Sequence, residues 1–107
     1  MTTNGDALYQ FVTNAEHRKL MRTWAQRAAA KGMSAQYAAA LKMIYRQLTT
    51  APTTWGDPCH RLVHLSLMVY HRVYAPLYVS YAVDEEIRIV YVKTLSALPR
   101  SGLETDE

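Results

Sequence analysis

Residues 77–95, LYVSYAVDEEIRIVYVKTL, decide the fold. Leu77, Val79, Tyr81 and Val83 alternate with Tyr78, Ser80 and Ala82. A period of two places the first set on one side of a strand and the second on the other, the pattern of a half-buried strand. Asp84, Glu85 and Glu86 then interrupt the run as a solvated turn, and Ile87 onward returns to strand-forming types. Working backwards, Ala75-Pro76 is a second interruption, and residues 62–74 are again rich in Val, Leu and Tyr. The expectation is a three-strand antiparallel meander at about 62–74, 77–83 and 87–94, with the Leu77 face turned to the core.

Upstream the period changes. Leu20, Met21, Trp24, Ala25 and Ala28 recur at three- and four-residue intervals, with His17, Arg18, Lys19, Arg22 and Arg27 largely off that stripe. Thr13 with Glu16 three positions later predicts a capping box at the start of this helix, and Gly32 predicts its end. Ser34 is the expected cap of a second helix carrying Tyr37, Leu41, Ile44 and Leu48, which Pro52 must terminate. The two helices form a basic antiparallel hairpin. Before them Leu8–Val12 reads as a short edge strand, and after them residues 49–58 read as a loop that Trp55 pins to the core. The architecture expected is therefore α+β: an N-terminal strand, a helical hairpin, then the meander, with the helices packed on one sheet face.

A chain of 107 residues is one domain, 1–107, with 1–7 and 99–107 expected to be flexible. Twelve Lys and Arg face nine Asp and Glu, but Glu104, Asp106 and Glu107 crowd the end. The six acids that remain leave the body at +6, a balance that suits polyanionic partners or simply a solvated surface. Cys59 is the single cysteine, which rules out an internal disulfide and points to a cytoplasmic setting. No run approaches the roughly 18 apolar residues of a membrane span, and no signal core opens the chain, so no membrane partner is expected.

The element order, the opening FVTNAEHRKL, the approach to Arg61 and the YAVDEE hairpin followed by IRIVYV together resemble the RelE/ParE superfamily of toxin and plasmid-stabilisation proteins over roughly residues 8–95. The resemblance implies a toxin held in check by an antitoxin, acting either on messenger RNA at the ribosome or on DNA gyrase. In the RNA-cleaving members basic side chains on the open sheet face hold the phosphodiester, and the resemblance carries that role to Arg61, Arg72, Arg88 and Lys93, with Tyr91 in the last strand. Two departures stand out. The strand LYVSYAV has no basic residue, and KTLSALP replaces the histidine or tyrosine pair that usually follows the last strand.

Cleaving RNA through its own 2′-hydroxyl needs a base, cations for the developing phosphorane charge and an acid for the leaving oxygen. His71, Arg72, Arg88 and Tyr91 are the candidate catalytic residues, and Arg61, His64 and Lys93 the candidate RNA-binding ones. Positions 64 and 71 have opposite parity, so a regular strand would place the two histidines on opposite faces. Each also reads as a hydrogen-bonded cross-strand residue, each arginine as a side chain covering apolar sheet, and the tyrosines as either base-stacking or packing groups. Cys59, His60 and His64 lack a fourth ligand for zinc, so neither metal nor cofactor is expected. No Gly-rich phosphate loop, nucleophile elbow or carboxylate pair is present, which argues against nucleotide hydrolysis and glycosidase chemistry. The expected function is a toxin-like protein, a ribosome-dependent endoribonuclease, with an antitoxin and the ribosome or gyrase as partners and a homodimer as a further assembly. The rival is a non-catalytic binder on the same scaffold, and an apolar groove on the open face of the sheet would favour it.

Overall fold

The strand read first lies at the centre of the sheet. The computed structural model describes residues 8–103, and among them β4 (Leu77–Asp84) sits between β5 (Ile89–Ala97) and β3 (Leu67–Tyr74). β2 (Asp57–Leu62) lies outside β3, and β1 (Gln10–Val12) outside β5, giving the order β1-β5-β4-β3-β2. β1 runs parallel to β5 and every other neighbour is antiparallel, so the fold is α+β with a mixed five-strand sheet. Helices α1 (Ala15–Ala30) and α2 (Ser34–Thr50) supply Trp24, Ala28, Tyr37, Ala40, Ile44 and Leu48 to a core shared with Leu77, Val79, Tyr81 and Val83. The alternation in β4 thus identifies its helix-covered face.

Four points differ from the sequence expectation, each for a local reason. The meander has four strands rather than three: the strand expected at 62–74 begins only at Leu67, after a 3-10 turn at Val63–Leu65 that Ser66 closes in the left-handed region (φ 56°), and Asp57–Leu62 ahead of it form the added strand. The expected loop 49–58 is largely structured, with Pro52 opening a one-turn helix, α3 (Pro52–Trp55), where its missing N–H costs nothing. At α1 the cap is Asn14, whose Oδ1 accepts from the His17 backbone N–H at 2.8 Å, one residue beyond Thr13; α2 is preceded by Met33 with no side-chain cap, and Ser34 lies inside the helix. Ile87 and Arg88 belong to the β4–β5 turn, Arg88 at φ 58°, so the last strand starts at Ile89.

Gly32 does end α1, and by the mechanism expected of it. At φ 69° it lets Met33 N–H reach Ala28 C=O at 2.7 Å and its own N–H reach Ala29 C=O, closing the free carbonyls of the last turn. On the stripe of α1 the assignments shift slightly: Ala25 is exposed and His17 buried. Residues 1–7 and 104–107 of the segments expected to be flexible lie outside the described residues. The part of the C-terminal segment that is described is anchored, with Leu103 fully buried and its carbonyl accepting from Arg27 Nη1 at 2.8 Å.

Two consequences can be measured. A methyl group at Gly56 would collide with the Tyr81 hydroxyl and approach Tyr70 Cβ to 3.1 Å. Gly56→Ala is therefore expected to cost about 1–3 kcal/mol in urea denaturation, the cost of overpacking a close-fitted core. Burial pushes the Tyr37 hydroxyl, which donates to Met21 C=O at 2.7 Å, from its ordinary value of 10.0 up to about 12. Since the unfolded chain ionises this tyrosine first, its contribution is complete below pH 10 and lost as the pH rises towards 12. Alkaline unfolding curves should steepen in that window, and Tyr37→Phe should flatten them.

Candidate functional site

Which face each candidate occupies follows from the ladder. Directly opposed residues in antiparallel strands share a face, and β3 pairs Met68 with Val83, Tyr70 with Tyr81 and Arg72 with Val79. Those β4 residues face the helices, so Arg72 does too. Arg61 pairs with Met68 and joins the same side. His71 pairs with Ser80 on one flank and with Asp57 on the other, which puts it on the open face. Tyr91 pairs with Ala82 and is also on the open face.

Lys93 reaches that face through an irregularity. Tyr81 is opposite Val92 and Ser80 opposite Thr94, leaving Lys93 as the extra residue of a bulge. It lines the open-face groove described below. A second shift, between Pro58 and His60, sets Cys59 out of register on the edge strand β2, where it is exposed as a free thiol. Proline and a bulge on an exposed edge obstruct the addition of a further strand.

The arginines have local partners. Arg72 Nη1 donates to the Trp55 carbonyl at 2.7 Å, and its guanidinium lies 5.4 Å from the centre of the Trp55 ring. Trp55 in turn stacks on Tyr81, and Tyr81 on Tyr70, with the Tyr81 hydroxyl donating to Pro52 C=O at 2.7 Å. Burial pushes the Tyr81 hydroxyl well above its ordinary range. Arg61 lines a cleft of about 410 Å³ with Tyr70, Asp84, Glu85 and Glu86. Burial and then Glu85 raise the Tyr70 pKa, and Arg61 opposes them. Arg88 sits in the turn with its guanidinium 5.7 Å from the centre of the Tyr9 ring, while its carbonyl accepts from Gln10 N–H at 3.0 Å. His64 belongs to the 3-10 turn Val63–Leu65.

The structure brings together His71, Tyr91 and Lys93, and places Arg61, Arg72, Arg88 and His64 elsewhere. Arg61 and Arg72 are on the helix-covered face, Arg88 is in the β4–β5 turn, and His64 is in the turn Val63–Leu65. The His71 ring meets Tyr78 edge-on at 6.0 Å, over a floor made of the small residues Ser80 and Ala82. Beside that floor runs a groove of about 420 Å³, lined by Leu62, Leu65, Leu67, Ala82 and Tyr91 and flanked by Asp84 and Lys93. Leu67, Val69 and Ala82 are buried there as a second, smaller apolar cluster. Val63 and Leu65, at the tip of the β2–β3 hairpin, are 72% and 64% exposed. Sequence reasoning did not find Asp57, Leu65 or Thr94, because the hairpin and the bulge that place them leave no periodic signal. Among the described residues no group of three or more His, Cys, Asp or Glu side chains is placed to hold a metal ion.

Set against protein-family models, curated proteins and solved structures, the chain matches none of them. Its function has to be argued from its own geometry.

Arg72 supplies the first test. A guanidinium that donates to a backbone carbonyl and covers an indole is a structural pin. Arg72→Ala should lower stability by about 1–2 kcal/mol in urea denaturation and expose Trp55 to iodide quenching. An unchanged midpoint would mean that the arginine is free for a ligand.

Proposed function

We propose that this chain is a toxin-like domain of the RelE/ParE kind that acts by gripping a protein partner on the open face of its sheet, and that it does not cut RNA. The observation that supports this most is the groove itself, an apolar stretch with an acid at one end and a base at the other. Asp84 ends β4, whereas Lys93 is level with Ser80 and Tyr81, three to four residues back along the strand, or roughly 10–13 Å. That spacing matches two turns of an α-helix, roughly 11 Å. The occupant that fits is an amphipathic helix with a cation near Asp84, an anion near Lys93 and aliphatic side chains between, the mode in which a helix lays its apolar stripe into a groove. An antitoxin or a helical segment of gyrase would present such a helix.

The ribonuclease reading loses support on the same grounds. A phosphorane needs several cations around one phosphate, and the open face offers Lys93 with His71 and His60, while Arg61 and Arg72 lie across the sheet.

Induced expression in a bacterial host tests the proposal. Growth arrest with intact transcripts is expected, relieved by Leu65→Asp, which alters an exposed side chain, and retained by His71→Ala. Arrest accompanied by cut messenger RNA and lost in His71→Ala would replace it with a ribosome-dependent endoribonuclease. Absence of arrest by folded protein would remove the toxin reading.

A further inference from the structure

Charge is divided unequally between the two layers. Residues 8–56, which carry β1 and the three helices, hold seven cations, Arg18, Lys19, Arg22, Arg27, Lys31, Lys42 and Arg46, against the single acid Glu16. Residues 57–103, which carry the rest of the sheet, hold five cations against four acids. The net positive charge of the described residues is therefore concentrated on the helical side.

Within that layer the cations are exposed and stacked. Arg27 is occupied by the Leu103 carbonyl. Arg18, Lys19 and Arg22 are exposed on α1, and Lys42 and Arg46 on α2, away from the buried positions Trp24 and Ala28 or Ala40, Ile44 and Leu48. Arg18 with Arg22 and Lys42 with Arg46 are four residues apart, the spacing at which like charges destabilise a helix. A helix under selection only for solubility alternates its signs at that spacing. Here, among the described residues, no acid lies within ion-pair distance of any of the five. Repulsion left uncompensated by the protein calls for an external anion.

The shape of the surface narrows what that anion is. Lys42 and Arg46 line a hollow of about 510 Å³ on the outer side of α2, beside Ala39 and Tyr45. Tyr45 is 57% exposed, its ring meets that of Phe11 at 5.1 Å with the planes 70° apart, and it lines the hollow together with the two cations. Cations along a track with an exposed ring beside them are what single-stranded nucleic acid requires: charge for the phosphates and a platform for an unpaired base. A lipid surface would need several bulky apolar side chains among the cations. Among the described residues of α1 and α2, Tyr45 is the one large exposed hydrophobic.

We propose that the outer surface of the helical hairpin docks single-stranded nucleic acid, its phosphates held by Arg18, Lys19, Arg22, Lys42 and Arg46 and one base stacked on Tyr45. This surface lies on the opposite side of the sheet from the groove and does not depend on what binds there.

The test is fluorescence anisotropy of the full chain with a short labelled single-stranded RNA over a range of salt. Five phosphate contacts predict a slope of log affinity against log salt of about −3.5, at about −0.7 per contact. Arg46→Glu should weaken binding tenfold or more, whereas Arg61→Glu, the same change in net charge on the sheet, should leave it within twofold. Tyr45→Ala should weaken binding to the single strand and spare binding to a duplex of the same sequence. Equal losses in Arg46→Glu and Arg61→Glu would reduce the effect to net charge and overturn the proposal. So would the absence of binding at low salt, or tighter binding to phosphatidylserine vesicles than to RNA.

Discussion

The Tyr81 hydroxyl bonded to the Pro52 carbonyl is the contact on which the arrangement of the sheet depends. Tyr81 comes from the central strand and is fully buried; Pro52 opens α3, the one turn of helix between α2 and β2. A buried tyrosine left without an acceptor, or a buried carbonyl without a donor, costs about 1–3 kcal/mol, so each group holds the other in place. Around this bond the rings of Trp55, Tyr81 and Tyr70 stack, Arg72 closes the outer side of Trp55, and Gly56 leaves room for the hydroxyl. The chain therefore leaves α3 at one defined point and enters β2 with Asp57 opposite His71. That register fixes where the β2–β3 hairpin projects Val63 and Leu65, and so fixes one wall of the groove.

The same contact explains why the arginine most attractive as a phosphate ligand is not on the open face. Adjacent residues of a strand point to opposite sides, so His71 and Arg72 cannot both face one substrate unless a bulge lies between them. The ladder runs unbroken from Met68 to Tyr74. Arg72 is left beside Trp55, where a planar guanidinium is well suited to stack on an indole and donate to a carbonyl at once. Of the candidate cations Arg61, Arg72 and Lys93, the open face keeps Lys93, and obtains it by a bulge. Its floor of Ser80 and Ala82 is low, which is what allows a groove to exist above a central strand at all.

Much of the fold was legible from periodicity. The faces of β4, the helical hairpin, the stop at Gly32 and the break at Pro52 all rest on residue patterns with a single physical reading, and each recurs in the structure. What periodicity could not reveal are features made by one residue. Ser66 in a left-handed conformation closes the turn that delays one expected strand to Leu67, and serine carries no strong preference for that geometry. Asn14 outcompetes Thr13 as a cap because both are acceptable cap residues and the sequence does not rank neighbours. Lys93 looks like an ordinary strand residue until the shift between Ser80 and Tyr81 is seen. The candidate site was less legible than the fold for the same reason. A list of basic residues says nothing about faces, and bulges and turns assign those faces.

The two proposed surfaces bear on one another through distance. The molecule measures 23 Å along its shortest axis. A helical layer about 10–12 Å thick lies between the outer cations and the sheet, and the groove is on the sheet's far side. At physiological ionic strength the screening length is about 8 Å, so the field of Arg18, Arg22, Lys42 and Arg46 has largely decayed before it reaches Asp84 or Lys93. A phosphate backbone on the helices would therefore neither repel nor recruit a helix in the groove. The groove must select its partner by shape and by its own two charges, while the helical surface acts through net charge and salt. A chain with both surfaces could hold a nucleic acid and a protein at the same time, with binding at one leaving affinity at the other unchanged. Coupling between them would require the sheet itself to move, and the buried bond from Tyr81 to Pro52 is the contact that resists such movement.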